Sequence, residues 1–280
     1  MQQLSHSGPI GVFDSGYGGL TILRSLIRHL PEYDFLYLGD NARTPYGTRS
    51  YDLVYRFTLE AVNKLFQLGA PLVILACNTA SAKALRTIQQ NDLPGIDADR
   101  RVLGVIRPTV EALPGMTSTG HLGILATPGT VASQSYSIEL RKAAPDLHVT
   151  ELACPMWVPL VENREAQSDG ADYFVRKYCE ALMSADPEID TVVLGCTHYP
   201  LLRNKIEEAL PEGIRIVSQG EIVAESLKDY LKRHPEMEAR LTRGEPQGGR
   251  KYLTTENPEK FSDLASMFLG EPVEASHIAL

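Results

Sequence analysis

A chain of 280 residues, 43% hydrophobic and 22% charged, holds enough apolar material for one large domain or two ordinary ones, which excludes a chain dominated by disorder. Its net charge of −8, from 27 basic and 35 acidic residues, excludes a general electrostatic pull toward nucleic acid or an anionic membrane. No window approaches eighteen uninterrupted apolar residues and "MQQLSHSGPI" lacks a basic segment followed by an apolar one, so a cytoplasmic protein without a membrane span is expected.

Short runs that are apolar throughout recur between helical patterns, as expected of parallel strands covered on both faces. The first strand, "IGVF" at 10–13, leads into "DSGYGGL". Those glycines lack the G-x-G-x-x-G spacing and the G-K-[ST] ending of phosphate-binding loops, so they are expected to allow a tight turn that exposes Asp14 and Ser15. Helix capping is the alternative role for Asp14. "GGLTILRSLIRHL" then spaces Leu20, Leu23, Leu26, Ile27 and Leu30 as one helix face. Strand "FLYLG" at 35–39 ends at Asp40 and opens "GDNARTPYG", a polar loop long enough to meet a substrate, in which Tyr46 also suits a half-buried aromatic. A helix follows from a Ser50 cap to Gly69. Strand "LVILA" at 72–76 stops on Cys77, followed by Asn78 and Thr79, and strand "VLGVI" occupies 102–106.

The second half repeats this order. "LGILA" at 122–126 leads to Thr127, "LHVTELA" at 147–153 to Cys154, and "TVVLG" at 191–195 stops on Cys196, followed by Thr197 and His198. A helix opens at Pro200 and stops before Pro211, and "IRIVS" at 214–218 is a further strand. The offsets between the halves are 113 (14 to 127) and 119 (77 to 196), close enough to indicate two homologous halves. "PEMEARLTRGEPQGG" at 235–249 is expected to be a loop or helix end, before strand "RKYLTT" and helix "NPEKFSDLASMFLG". The expected fold is α/β, with two pseudo-symmetric domains of mainly parallel sheet and the active site in the cleft between them. The first domain comprises 1–106 plus 218–280, and the second comprises 107–217.

Ligands gather beyond the carboxyl ends of strands in such sheets, where Asp14, Asp40, Cys77, Thr127 and Cys196 all fall. One strand-end cysteine is ordinarily packing, but two at equivalent edges of facing halves can take a proton from one face of a carbon and return one to the other. His198 is placed to orient Cys196 or to protonate near it. Glu162, in "VPLVEN", is either within reach of His198 or an exposed carboxylate at a helix start. Cys154 and Cys179 are expected to be packing residues, and no C-x-x-C pair supplies a zinc or disulfide framework, so no metal is expected.

"GVFDSGYGGLT", "GDNARTPYG", "ACNTA", "LACPMWVPLVE" and "LGCTHYPLL" together resemble the glutamate racemase family within the cofactor-independent aspartate/glutamate racemases, over most of the chain. The resemblance implies interconversion of L- and D-glutamate without a cofactor or metal, in the service of peptidoglycan synthesis, with Cys77 the base acting on D-glutamate and Cys196 the base acting on L-glutamate. It further implies that Asp14 assists Cys77, that His198 and Glu162 assist Cys196, and that Asp14, Ser15, Tyr46, Gly47, Asn78, Thr79, Thr197 and His198 contact the substrate. A homodimer is compatible with it. Two stretches depart from the pattern: Ser218-Gln219-Gly220, where an acidic residue followed by Ser or Pro is usual, and "VIRPTV" in place of "VIxPG". The competing readings are racemisation of aspartate or another amino acid by the same thiols, a non-catalytic two-lobed small-molecule binder, and single-thiol hydrolysis or decarboxylation.

Overall fold

The computed structural model describes residues 7–244 and 248–280. Residues 1–6, and 245–247 within the expected loop, lie outside the described residues. Among the described residues, ten strands form two sheets. The first has the order β10-β9-β2-β1-β3-β4, from β1 (Ile10–Asp14), β2 (Phe35–Gly39), β3 (Leu72–Leu75), β4 (Arg101–Gly104), β9 (Arg250–Thr254) and β10 (Ala275–His277). The second has the order β6-β5-β7-β8, from β5 (His121–Ala126), β6 (His148–Ala153), β7 (Thr191–Gly195) and β8 (Arg215–Val217). All the ladders are parallel. The order β2-β1-β3-β4 recurs as β6-β5-β7-β8, so the repeat in the sequence has a counterpart in strand placement.

Parallel neighbours need crossovers, and helices supply them. Those that bear on the site are α1 (Leu20–His29), α2 (Tyr51–Gln67), α3 (Asn78–Lys83), α4 (Ile106–Ala112), α5 (Pro128–Ser133), α6 (Ser135–Ala143), α7 (Trp157–Glu162), α8 (Asp169–Ala185), α9 (Arg203–Ala209), α10 (Gln219–Arg233), α11 (Pro235–Glu238) and α12 (Pro258–Leu269). Sandwiching explains the uniform burial of β1, β2, β3 and β7, whereas β6, at an edge, is only half-buried. In α1 the buried Leu20, Leu23 and Leu26 share a face that packs on α10; truncating Leu23 to Ala there costs about 2–5 kcal/mol. Ser50 caps α2 by accepting from Leu53 N at 3.4 Å, as its sequence position indicates.

Of the two forms expected for 235–249, loop or helix end, residues 235–244 take the helical one: they form α11 and then bridge Leu241 to Gly8 and Arg243 to Tyr33, with the Arg243 guanidinium on the Tyr33 hydroxyl and Glu238. One expectation changes. Pro200 is in a 3₁₀ turn, Tyr199–Leu202, and the α-helix begins only at Arg203. One hydrophobic cluster runs from Val12 and Ile74 of the first sheet through Leu227 of α10 to Leu125 and Leu194 of the second, so the two lobes share a core.

Candidate active site

In each sheet the chain order reverses about the central strand, which leaves a crevice beyond the carboxyl ends of its neighbours. The crevice between β1 and β3 sets Asp14 and Ser15 beside Cys77, and that between β5 and β7 sets Thr127 beside Cys196. Both open on one cavity of about 80 Å³. Ser15, Cys77, Asn78 and Thr79 line it from the first lobe, with Tyr46 and Gly47 of the loop after β2; Thr127, Cys154, Cys196, Thr197 and His198 line it from the second. Thiols from separate sheets, Cys77 after the first and Cys154 and Cys196 after the second, therefore border the same space.

Cys77 follows β3 and caps α3, its Sγ accepting from Ala80 N at 3.4 Å and lying 3.4 Å from Ser15 Oγ. Burial pushes the thiol up to about 12, the Asp14 charge adds to this, and the Ser15 and Ala80 hydrogen bonds oppose it. Near neutral pH Cys77 thus rests as the protonated thiol. Asp14 is the last residue of β1, not the start of an exposed turn: it pairs with Gly39, its carbonyl accepts from Asp40 N, and its side chain is fully buried. One carboxylate oxygen accepts from Gly19 N at 2.9 Å; the other has no partner among the described residues. Burial pushes this carboxyl up to about 6, with the His198 charge and the Gly19 N–H pulling the other way. Asp14 lies within electrostatic reach of Cys77 but does not line the cavity, unlike the other residues expected to contact substrate.

On the opposite side, Cys196 Sγ lies 3.8 Å from His198 Nδ1, and His198 Nε2 lies 3.0 Å from Glu162 Oε1. Burial pushes the imidazole down, but its hydrogen bonds to Cys196 and Glu162 outweigh that and lift it to about 10. Glu162 ends α7 instead of starting a helix, and it is held inward with 19% of its side chain exposed. The cause is packing: Trp157 at the head of α7 meets Tyr199 edge-on at 4.7 Å, and the Tyr199 hydroxyl donates to Cys154 O, tying α7 to the turn that follows His198.

The glycines after β1 serve close approach. A Cβ on Gly18 would stand 2.2 Å from Thr197 Oγ1 and 2.5 Å from His198 Nδ1, so only glycine lets the first lobe close on the second lobe's histidine. Thr21 Oγ1 adds a bond to Thr197 O at 3.0 Å. The loop carrying Tyr46 is anchored by buried Asp40, which accepts from the Tyr46 hydroxyl, from Arg43 Nε at 2.6 Å and from Thr255 Oγ1 at 2.9 Å. Tyr46 is fully buried, not half-buried. Gly47, in the cavity wall, accepts from Gly129 N at 2.7 Å through its carbonyl, and Lys83 Nζ donates to Arg49 O at 2.7 Å.

Cys179 is buried within α8, as expected of packing, whereas Cys154 is both buried and part of the cavity wall. Thr127 reaches Thr79 Oγ1 at 3.0 Å and was legible as a strand-end residue in the position that Asp14 holds in the first half. Gln219 and Tyr136, which bond around Asn78, carry no motif; only the departure at 218–220 marks the place. Among the described residues, no group of three or more His, Cys, Asp or Glu side chains could hold a metal ion, and no helix is long and apolar enough to cross a membrane.

The sequence pattern of the Asp/Glu/Hydantoin racemase family matches residues 10–227. A glutamate racemase of Roseobacter denitrificans is 42% identical over 277 residues, covering 95% of this chain and 98% of that protein. Among solved structures, a glutamate racemase isoform of Bacillus anthracis superposes with a TM-score of 0.87 at 34% identity, covering 98% of each chain. That of Francisella tularensis, in complex with D-glutamate, gives 0.86 at 28% identity, covering 99% of this chain and 98% of the other.

Proposed function

This chain belongs to the Asp/Glu/Hydantoin racemase family, and from that premise we propose that it interconverts L- and D-glutamate by proton transfer between Cys77 and Cys196. It is an isomerase, an amino-acid racemase. The observation that carries the two-thiol reading is that cysteines ending corresponding strands of two separate sheets line one cavity.

Toward D-glutamate, the Cys196 thiolate takes the Cα proton; the C–H electron pair stays on Cα and spreads into the adjoining carboxylate. The Cys77 S–H bond then breaks and its proton forms the new Cα–H bond on the opposite face. Each turnover leaves Cys196 protonated and Cys77 as thiolate, so the reverse reaction starts from Cys77. No oxidant or cofactor enters this balance. His198, held by Glu162, resets the proton at Cys196, and Asp14, which ionises near neutral pH, does so at Cys77. The substrate ammonium, placed between the sulfurs, favours the thiolate form of each as it is needed. Ser15, Gly47, Asn78, Thr79 and Thr197 supply donors for the two carboxylates, and Tyr46 and His198 complete the wall.

In the same reading, 1–106 with 218–280 and 107–217 are the two domains, and the cavity is the cleft between them. The protein works in the cytoplasm, consistent with four free cysteines, as a homodimer, and its D-glutamate serves peptidoglycan synthesis. Circular dichroism of enantiopure glutamate, with no added cofactor, tests the reaction: the signal from either enantiomer should decay to zero. Decay that requires an added cofactor, or that occurs with aspartate and not glutamate, would overturn it.

A further inference from the structure

Between the lobes lies a buried polar ring to which the proton transfers assign no part. Gln219, the first residue of α10 and 3% exposed, accepts from Asn78 Nδ2 at 2.6 Å through Oε1. Its Nε2 donates to Tyr136 Oη at 2.8 Å and to Thr109 Oγ1 at 2.9 Å. The Tyr136 hydroxyl donates onward to Asn78 Oδ1 at 2.8 Å, and the Thr109 hydroxyl to Val105 O at 2.7 Å.

The donor inventory gives every bond in this set a single direction. Tyr136 spends its one proton on Asn78, so its oxygen can only accept from Gln219; Thr109 spends its proton on Val105, so it too can only accept. Gln219 therefore must present Nε2 to those two and Oε1 to Asn78. Asn78 in turn must present Nδ2 to Gln219 and Oδ1 to Tyr136, because the flipped amide would face acceptor with acceptor. A closed circuit of Asn78, Gln219 and Tyr136 results, assembled from α3, α10 and α6. Asn78 adjoins Cys77 and lines the cavity, and the circuit takes up only one of its two amide N–H groups.

We propose that Gln219 is a positioning residue for racemisation: through this circuit it holds the Asn78 carboxamide in one rotamer and one flip, so that the remaining N–H meets a substrate carboxylate without searching. The departure at 218–220 is then a working part of this site. Its neighbours fix it in place, since Ser218 Oγ receives Arg203 Nη1 at 3.4 Å and a Cβ on Gly220 would meet Ser25 Oγ at 2.5 Å, which seats the start of α10 against α1.

This inference rests on the racemase reading, which the unsubstituted chain tests alone: if it does not racemise glutamate, that reading fails whatever Gln219 does. For Gln219 the test is a double-mutant cycle on kcat/KM for glutamate, with Gln219→Met, which keeps length and removes donor and acceptor, Asn78→Ala, and the pair. Gln219→Met alone should lower kcat/KM about tenfold, chiefly through KM, and in the Asn78→Ala background its effect should shrink to less than about threefold. Tyr136→Phe with Asn78→Ala forms a second cycle with the same expectation, and decides the matter if Gln219→Met does not fold. Retention of the full Gln219→Met loss without Asn78, or a Tyr136→Phe protein with unchanged kcat/KM, would overturn the proposal.

Discussion

Replacing Gly18 with alanine adds a single methyl group at the point where the first lobe meets His198. In place, that carbon lies 2.2 Å from Thr197 Oγ1 and 2.5 Å from His198 Nδ1, whereas ordinary contact begins near 3.4 Å. Relief requires the imidazole to retreat by about 0.9 Å and Thr197 by about 1.2 Å, or the turn after β1 to withdraw by the larger amount, and a retreat of the imidazole disturbs its 3.8 Å approach to Cys196 Sγ. A displacement of about 1 Å in a catalytic group costs about 100-fold in rate, equivalent to about 2.7 kcal/mol of barrier. The overpacking itself should cost about 1–3 kcal/mol of stability, which a chain of this size survives. Circular dichroism started from each enantiomer should show kcat/KM falling equally in both directions, because the enantiomers have equal free energy and the two values are bound by an equilibrium constant of one. Exchange of the Cα proton with heavy water should fall further from L-glutamate than from D-glutamate, since only the Cys196 side is displaced. A Gly18→Ala protein with a normal melt and kcat/KM within about threefold of the parent would refute the claim that this glycine exists to seat His198.

Cys77→Ser and Cys196→Ser should each lose racemisation in both directions by at least about 1,000-fold, measured polarimetrically, since a hydroxyl is too weak an acid to become the anionic base that each sulfur must be in one direction, and the two directions are tied by the equilibrium; ordinary turnover in either would sink the two-thiol mechanism. In heavy water, D-glutamate formed at low conversion from L-glutamate should carry deuterium at Cα from the first turnover, whereas a single base would return some of the abstracted proton, and NMR distinguishes the two. The folded Asp14 carboxyl binds its proton more tightly than the ordinary value of 3.8, so stability falls as pH rises from 3.8 to 6 and stays lower above, by about 3 kcal/mol. Asp14→Asn should therefore melt no lower than the parent at pH 7 while losing activity, and a lower melt would show that the carboxylate supports the fold. His198, raised to about 10, contributes stability that is complete below pH 6.5 and lost as pH rises through 10, so the melting deficit of Glu162→Gln should be present near neutral pH, where the carboxylate is charged, and vanish above pH 10.

Strands and thiols were legible because burial on both faces leaves a simple mark: "LVILA" and "TVVLG" have no polar alternation, and a polar run begins where each sheet ends. The sequence also marked Asn78, Thr79 and Thr197, which come just after those strand ends, and Ser15, which follows the first strand. Glu162 was harder, since its approach to His198 depends on Trp157 packing against Tyr199, a contact between segments far apart in the chain. Gln219 was beyond periodicity or motif, because a glutamine at a helix start is ordinary until three other elements bring it partners. Residues 235–244 lacked a periodic face for the opposite reason: short pairings with Gly8 and Tyr33 hold them, and these leave no repeating pattern.

The return of β9 to the first sheet also bears on how the chain assembles. Phe35 of β2 pairs with Arg250 of β9, on the far side of the entire second lobe, whereas β5 through β8 find all their partners within one continuous stretch. Loop-closure entropy favours the local set, so the second sheet should collapse first and the first sheet should complete last. During synthesis β2 waits as an open edge, "FLYLG", apolar on both faces, until the C-terminal segment leaves the ribosome. Truncations that remove β9 would therefore expose a sticky strand, and aggregation of the nascent protein, more than loss of the active site, should limit how much of the C-terminus can be removed.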